Sequence, residues 1–357
     1  MKNPLIRPAV ESMHAYVPGE QPRDPNVLKL NTNENPYPPS PDVFAALASV
    51  TADDLRRYPH PTAAPLRQAI ADLHGLAPEN VFIGNGSDEI LALFTRAFAP
   101  QSESGGGTLG YMSPSYSLYP ILGTIAELDC KAYPLNPDFT WTVPDTLDVD
   151  LFFLTQPNAP TSLALSQDDI RTAANRCRGV FLVDEAYVDF AEESALPLLA
   201  ECPNLMISRS FSKSYSLAGL RVGYALGAAP LIEALDKIKD SYNLDHLAQR
   251  IALAAVLDQS TLISNTTAVR GTRAAAKKQL EARGFQVLDS QTNFLFAKVP
   301  ASQSAAYLHE ALRARHVYIR YFPGPQTGDY LRITIGTDTQ MDHFFQVLDS
   351  LMKASHA

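Results

Sequence analysis

The segment VFLVDEAYVDFAEESALPLLAECPNLMISRSFSK, residues 180–213, contains two short apolar runs that both end in polar residues. Residues 180–183 and residues 205–207 have the length and the apolar, partly β-branched composition of buried strands. Asp184 follows the first run, and Ser208 follows the second. Because ligands of open parallel sheets bind beyond the carboxyl ends of the strands, this segment predicts both a sheet and the edge where a site lies.

The segment belongs to a longer alternating pattern. Similar apolar runs at residues 81–83 and 151–154 are separated by helical patterns. This alternation predicts an α/β fold, with a mostly parallel sheet between helices in a large domain over residues 42–245. A single long helical stretch over residues 247–283 begins a different pattern of long helices and few strands. Residues 246–357 are therefore predicted to form a smaller α+β domain.

The first part of the chain and the overall composition limit the classes of function. Residues 1–41 contain nine prolines, which fix φ and remove backbone donors, so they are predicted to form an extended arm that packs on the rest. The net charge of -9 argues against nucleic acid as a partner. Neither a signal peptide nor an apolar run of about 20 residues that could span a membrane is recognisable.

Three cysteines, Cys130, Cys177 and Cys202, lack the spacing of metal ligands and are predicted to be free thiols. Free thiols are typical of a reducing compartment. We therefore expect a cytoplasmic protein with neither a metal site nor a membrane partner.

Two strand ends carry residue types that suit a phosphorylated ring ligand. Gly86, Ser87 and Asp88 follow the run at residues 81–83 and open a helical pattern, whose free N–H groups can bind phosphate. A capped helix without a ligand explains this segment equally well. Asp184 follows residues 180–183 and can hold a pyridine nitrogen protonated, although a helix cap or a metal ligand is the commoner use of an isolated aspartate.

The third strand end leads to Lys213. An isolated lysine is ordinarily a surface residue. Here Ser210 and Ser212 precede it, Arg221 follows eight residues later, and Gly223 allows close approach of the backbone. This setting is unusual for a surface lysine.

Two motif matches point elsewhere and are rejected. Ser210-Phe211-Ser212-Lys213 fits the S-x-x-K motif of penicillin-binding enzymes, but the K-T-G motif that accompanies it is missing. Gly105-Gly106-Gly107-Thr108-Leu109-Gly110 fits G-x-G-x-x-G, but it precedes a predicted strand and no helix opens after it. We interpret this glycine-rich segment as a loop.

In combination, the motifs resemble those of the fold-type I aminotransferases that depend on pyridoxal 5'-phosphate (PLP), and within them the histidinol-phosphate aminotransferase family. The resemblance extends over nearly the whole chain. The similar segments are Asn33-Glu34-Asn35-Pro36, Arg57-Tyr58-Pro59, Gly86-Ser87-Asp88-Glu89-Ile90, Pro114-Ser115-Tyr116, Val183-Asp184-Glu185-Ala186-Tyr187, Ser210-Phe211-Ser212-Lys213, Leu217-Ala218-Gly219-Leu220-Arg221-Val222-Gly223 and Leu331-Arg332-Ile333-Thr334-Ile335-Gly336.

The resemblance implies a cofactor site. PLP would form a Schiff base with Lys213, pair its pyridine nitrogen with Asp184 and accept a hydrogen bond from Tyr187 at its phenolic oxygen. Tyr116 would stack on the cofactor ring. The residues implied to hold the cofactor phosphate are Ser210, Ser212 and Arg221, with N–H groups at Gly86, Ser87 and Asp88. Tyr58 would reach the cofactor phosphate of a neighbouring subunit, which implies a homodimer with shared active sites.

The resemblance also implies the substrates, L-histidinol phosphate and 2-oxoglutarate, with Tyr16, Arg320 and Arg332 at the substrate end. One position departs from the family pattern, because Ala159 occupies the place of an asparagine that binds the cofactor oxygen. Asn158 is the nearest substitute. An aromatic aminotransferase and a threonine-phosphate decarboxylase of the same fold remain alternatives. A PLP-binding regulator is disfavoured, since the chain leaves no room for a DNA-binding domain.

Overall fold

The computed structural model describes residues 5–98, 101–102 and 105–354. The α-helices are α1 Pro8–Ser12, α2 Pro41–Ala48, α3 Ala52–Arg56, α4 Ala64–His74, α5 Ser87–Phe98, α6 Leu118–Ile125, α7 Gln167–Arg176, α8 Ala229–Ile238, α9 His246–Leu257, α10 Gln259–Glu281, α11 Ala305–Arg313 and α12 Asp338–Ala354. The strands are β1 Leu28–Lys29, β2 Val81–Gly84, β3 Gln101–Ser102, β4 Gly105–Gly106, β5 Thr108–Ser113, β6 Asp129–Pro134, β7 Leu151–Thr155, β8 Val180–Asp184, β9 Leu205–Ser210, β10 Gly223–Gly227, β11 Gln286–Val287, β12 Phe294–Lys298, β13 Val317–Tyr318, β14 Arg320–Tyr321 and β15 Tyr330–Thr334.

The large sheet has seven strands in the order β2-β10-β9-β8-β7-β5-β6. β10 runs antiparallel to both of its neighbours, and the remaining pairs are parallel. Apolar side chains of α5, α6 and α8 pack on one face, and those of α4, α7 and α9 pack on the other. Strands covered on both faces need apolar residues at nearly every position, which explains the continuous runs in the sequence. The predicted α/β fold with a mostly parallel sheet is confirmed.

The strand register brings three polar side chains into one row. Thr155 of β7 lies opposite Asp184 of β8, and Asp184 lies opposite Ser208 of β9. All three residues stand at or near the carboxyl ends of parallel strands and are buried. Because residues in register on neighbouring strands point to the same face, the row forms the floor of any site at this edge.

A four-stranded antiparallel sheet, in the order β11-β12-β15-β14, forms a second core with α10, α11 and α12. The sequence predicted one helix over residues 247–283, but the structure divides it into α9 and α10. Asp258 separates the two helices, since its carboxylate accepts the Thr261 N–H as the cap of α10. The apolar side chains of α9 belong to the core of the large sheet, so we propose a domain boundary near residue 258 instead of residue 245.

The amino-terminal arm contacts both cores. After the short helix α1, β1 pairs in parallel with β13 of the second core. Arg7 forms an ion pair with Glu127, and Glu20 forms one with Arg313. The first four residues of the predicted arm lie outside the described residues.

The glycine-rich segment interpreted as a loop contains a short strand. Gly105 and Gly106 form β4, which pairs with β3, although residues 103–104 between them lie outside the described residues. β5 follows directly, and no helix begins there. Within the described ranges, every helix is too short or too polar to traverse a lipid bilayer.

Candidate active site

A cleft of about 340 Å³ opens where the carboxyl ends of β7, β8 and β9 meet the arm and the smaller sheet. Its lining contains most of the residues that the sequence singled out. They are Tyr16, Ser87, Asp88, Tyr116, Asp184, Tyr187, Ser210, Ser212, Lys213, Arg221, Arg320 and Arg332. Gly86 immediately precedes the lining residue Ser87, whereas Asn158 and Tyr58 do not line the cleft.

Lys213 lies in the turn after β9, and two buried aromatic residues flank it in the sequence. Phe211 and Tyr215 stack at a centroid distance of 4.7 Å, which fixes the turn on the core. The Nζ of Lys213 donates a hydrogen bond of 3.0 Å to the backbone oxygen of Thr32 in the arm. Desolvation, assisted by the positive charge of Arg332, lowers the pKa of Lys213 to about 8. A lysine with this pKa can exchange protons near neutral pH.

Asp184 is buried in the floor of the cleft. Its carboxylate accepts hydrogen bonds from the Tyr119 hydroxyl at 2.9 Å and from the Ser208 hydroxyl at 3.2 Å. Burial raises the pKa of Asp184 to about 6, and these two hydrogen bonds oppose that rise. Among the described residues, no basic side chain forms an ion pair with it. A buried carboxylate without a cation is a suitable partner for a protonated ring nitrogen.

Tyr187 is oriented by a residue that the sequence motifs did not assign a role. The Asn33 side-chain amide donates a hydrogen bond of 2.9 Å to the Tyr187 hydroxyl. Asn33 is itself fixed, because its amide oxygen accepts from Thr334 at 3.0 Å. The Tyr187 oxygen is therefore an acceptor toward the arm, and its proton remains available for a ligand in the cleft.

A group of possible anion donors, here called the anion cup, lies at the start of α5. Its residues are Gly86, Ser87, Ser212 and Arg221. Arg221 donates to Ser212 Oγ at 3.2 Å and contacts the carboxylate of Asp88 at 3.2 Å. The cup leaves no space for larger residues: a Cβ on Gly86 would lie 2.7 Å from the Arg221 guanidinium, and one on Gly223 would lie 2.7 Å from the Ser87 nitrogen. Free N–H groups at a helix start, hydroxyls and a guanidinium are donors that suit a phosphate.

Asn158 lies beside the cleft and does not line it. Its amide nitrogen donates to the backbone oxygen of Pro114 and to Thr161 Oγ1, and its amide oxygen accepts from Ser115. These three hydrogen bonds use both amide N–H groups of Asn158, and Ala159, not Asn158, lines the cleft. The role of Asn158 as a substitute for the asparagine that the family has at position 159 stays a prediction without support from the cleft lining.

Two arginines stand at the end of the cleft formed by the smaller sheet. Arg320 of β14 and Arg332 of β15 are paired in register. The ring of Phe322 lies 5.5 Å from the Arg320 guanidinium and 5.2 Å from that of Arg332, so one aromatic ring contacts both cations. Tyr16 of the arm closes this end through an edge contact with Tyr116, at a centroid distance of 5.9 Å.

Tyr58 lies outside the cleft of its own chain. It is 81% exposed and stacks on Tyr242 at a centroid distance of 4.5 Å. The exposed apolar side chains on α2, α3 and the neighbouring parts of α9 and α10 are Phe44, Leu47, Leu55, Leu257 and Ile263. Exposed apolar residues grouped on packed helices are typical of a protein–protein interface.

The sequence motifs gave no role to Tyr119, which donates to Asp184, or to Thr155, which contacts Tyr119. Tyr119 is fully buried in α6, three residues after the recognised Tyr116. Thr155 directly follows the predicted strand at residues 151–154, so inspection of every strand end would have found it.

The sheet order, the smaller α+β core and a cleft that combines a buried lysine, a buried carboxylate and an anion cup are those of a PLP-dependent aminotransferase of fold type I. The family model "Aminotransferase class I and II" matches residues 25–348. Histidinol-phosphate aminotransferase 1 of Trichormus variabilis is 42% identical, over 98% of this chain and 99% of that protein. The enzyme of Chromohalobacter salexigens is 43% identical, over 97% of this chain and 98% of that protein.

Solved structures share the fold at lower identity. Histidinol-phosphate aminotransferase from Sinorhizobium meliloti in complex with PLP has a TM-score of 0.83 at 23% identity, with 98% of this chain and 99% of that chain covered. L-threonine-O-3-phosphate decarboxylase from Porphyromonas gingivalis has a TM-score of 0.76 at 22% identity, with 91% and 99% covered. The chain belongs to the histidinol-phosphate aminotransferase family of the class I and II aminotransferases.

Proposed function

We propose that the protein transfers an amino group from L-histidinol phosphate to 2-oxoglutarate, giving imidazole acetol phosphate and glutamate in histidine biosynthesis. The observation that carries this proposal is the pair Arg320 and Arg332 at one end of the cleft that contains Lys213. The names of the relatives at 42% and 43% identity agree with it.

Two sets of residues would hold the cofactor. Asp184 would pair with the ring nitrogen, Tyr187 would donate to the phenolic oxygen, and Tyr116 would cover the ring. The set that would hold its phosphate is Gly86, Ser87, Asp88, Ser210, Ser212 and Arg221. The donor types and the space in the cup fit these groups.

Lys213 would carry the proton transfers. When bound, PLP supplies an electron sink that withdraws electron density from the substrate Cα. Lys213 Nζ would then remove the proton at that carbon, a contribution of roughly 10²–10⁴-fold for a positioned base. Its pKa of about 8 leaves an appreciable neutral fraction at physiological pH. The same amine would serve as covalent anchor and base.

Arg320 and Arg332 would allow one pocket to bind two substrates with different anionic groups. Histidinol phosphate presents a dianionic phosphate and no α-carboxylate, whereas glutamate presents two carboxylates and no phosphate. Planar guanidinium groups bind both anions through paired hydrogen bonds. Phe322 keeps the two cations in contact with one ring, and Arg332 is anchored by a hydrogen bond of 2.9 Å to the Asn31 backbone oxygen.

Substitution of Arg320 tests this assignment. Arg320→Ala should cost about 2 kcal/mol or more of transition-state stabilisation with histidinol phosphate, because a charge-assisted contact is lost. This loss corresponds to a decrease in kcat/KM of about 30-fold. Steady-state kinetics with histidinol phosphate and with histidinol provide the measurement. Histidinol, which lacks the phosphate, should be a poor substrate of the wild type and should respond little to the substitution.

Arg315→Ala is the matched control, since Arg315 is an exposed arginine after α11. A panel with phenylalanine, tyrosine and threonine phosphate, each with and without 2-oxoglutarate, separates the alternatives. Equal use of histidinol and histidinol phosphate, or better use of phenylalanine, would favour an aromatic aminotransferase. Product formation from threonine phosphate without an amino acceptor would favour the decarboxylase.

The proposal includes a homodimer with shared active sites in the cytoplasm. The exposed Tyr58 and the apolar side chains around it support a subunit interface. The net charge of -9 and three free cysteines support a reducing, aqueous compartment.

Hybrid dimers test the role of Tyr58. Mixing inactive Tyr58→Ala with inactive Lys213→Ala should restore up to about a quarter of the wild-type activity, since half of randomly exchanged dimers are hybrids with one intact site. Activity is measured after subunit exchange has been verified with tagged chains. Mixing Lys213→Ala with Asp184→Asn should restore nothing, because both residues lie in the cleft of one chain. No recovery in the first mixture would indicate sites complete within a single chain.

A further inference from the structure

A chain of hydroxyl groups leads to Asp184 from Ser115 through Thr155 and Tyr119. The Tyr119 hydroxyl lies 2.9 Å from Asp184 Oδ2 and 2.6 Å from Thr155 Oγ1. Thr155 Oγ1 in turn lies 2.9 Å from Ser115 Oγ. Tyr119 and Thr155 are almost fully buried, so water does not compete for these contacts.

The directions of two of these hydrogen bonds follow from proton counting. An ionised carboxylate only accepts, so the single proton of Tyr119 points to Asp184. The Tyr119 oxygen must then accept, and the only proton available at its 2.6 Å contact belongs to Thr155. The proton of Ser115 has two acceptors, Thr155 Oγ1 at 2.9 Å and Asn158 Oδ1 at 3.0 Å, and forms the outer end of the chain.

We propose that Thr155 is a positioning residue, which acts through Tyr119 to hold the carboxylate of Asp184 ionised and aimed into the cleft. Hydrogen bonds in series polarise one another, so the Thr155 proton makes Tyr119 a better donor. The strand register explains why this residue is in place, because Thr155 lies directly opposite Asp184. The proposal depends on PLP binding beside Asp184 and does not depend on the identity of the amino donor.

The groups around Asp184 make these donors important. Asp88 of α5 adds a negative charge, and burial disfavours the ionised form. Tyr116, Tyr119 and Tyr187 surround the carboxylate as neutral phenols, since desolvation raises the pKa of each. Ser208 of β9 supplies the second side-chain donor. With no basic side chain paired to it within the described residues, Asp184 relies for its charge on these hydroxyl donors and on the backbone N–H of Ala186.

The test compares PLP binding by the full-length chain across a pH series. PLP needs an ionised Asp184 for its ring nitrogen, so its affinity should fall as the pH drops through the pKa of this carboxyl, about 6. The acidic limb of the profile is the pH range in which PLP affinity falls on acidification. Thr155→Val keeps the shape of the side chain but removes the hydroxyl, which should move this limb to higher pH by about half to one unit. Thr155→Ser keeps the hydroxyl and should retain the wild-type profile.

A double substitution separates an effect on Asp184 from a structural effect. In the Asp184→Asn background the carboxylate that Thr155 is proposed to influence is absent, so adding Thr155→Val should change neither the PLP dissociation constant nor its pH dependence. The proposal is overturned if Thr155→Val has the wild-type profile, or if its effect persists unchanged beside Asp184→Asn. Should Thr155→Val fail to fold, Thr155→Ala removes the same hydroxyl and must shift the limb in the same direction by about the same amount. An unshifted limb in that variant also overturns the proposal.

Discussion

Lys213→Ala is expected to lower turnover by about 10⁴-fold, the upper end of what a positioned proton-transfer group contributes. The alanine removes the amine that donates to Thr32 and lines the cleft, and none of the other lysines in the described part of the chain lines it. Lys213→Arg should be comparably inactive, because a guanidinium keeps its proton at any working pH. The measurement is kcat with the preferred amino donor at saturating PLP.

Chemical labelling checks the same assignment independently of rate. Borohydride reduction of the PLP-loaded wild type, followed by peptide mapping, should place the label on Lys213. Lys237→Ala is the matched control, because Lys237 is an exposed lysine on α8 paired with Glu233, and it should leave the label unchanged. A label on any other lysine would remove Lys213 from its proposed role.

At saturating PLP, Asp184→Asn should still bind the cofactor, with lower affinity, but should lose turnover by about 10²-fold or more, as expected when a preorganised charge next to a reacting group is removed. Asparagine keeps the shape and can still accept from Tyr119 and Ser208, yet it carries no negative charge to keep the ring nitrogen protonated. The measurements are PLP content per chain and kcat. Asp168→Asn, at a carboxylate whose side chain is 90% exposed, controls for the loss of one acidic group. Turnover near the wild-type value would make Asp184 a structural residue.

Local sequence patterns were sufficient for the fold. Strands β2, β7, β8 and β9 were predicted because buried strands under two helical layers need uninterrupted apolar runs. The break between α9 and α10 was missed because neither glycine nor proline marks it. Its cause is Asp258, whose cap is supported by a hydrogen bond from Ser40, 218 residues away in the sequence. No local pattern contains that contact.

The residues of the candidate site also fall into two groups, those within local motifs and those whose placement depends on distant parts of the chain. Residues in ordered motifs, such as Asp184 and Lys213, were predicted together with the elements that hold them. Asn158 was assigned to the cleft because its residue type fitted, but its orientation depends on Pro114, 44 residues earlier. Asn33 could not be assigned to Tyr187, because the two are separated by 154 residues and join only when the arm docks.

The amino-terminal arm can dock on the smaller sheet only late in the synthesis of the chain. Asn33 is bound by Thr334, and the Asn31 backbone is bound by Arg332, each across 301 residues of sequence. A ribosome delivers the arm first and its partners almost last, so a nascent chain can form the central strands while the arm is still unattached. The wall that carries Thr32 and Asn33 therefore closes only near the end of translation. A chain truncated before β15 would retain the residues of the anion cup. It would lack Arg332 and therefore a complete pocket around Lys213.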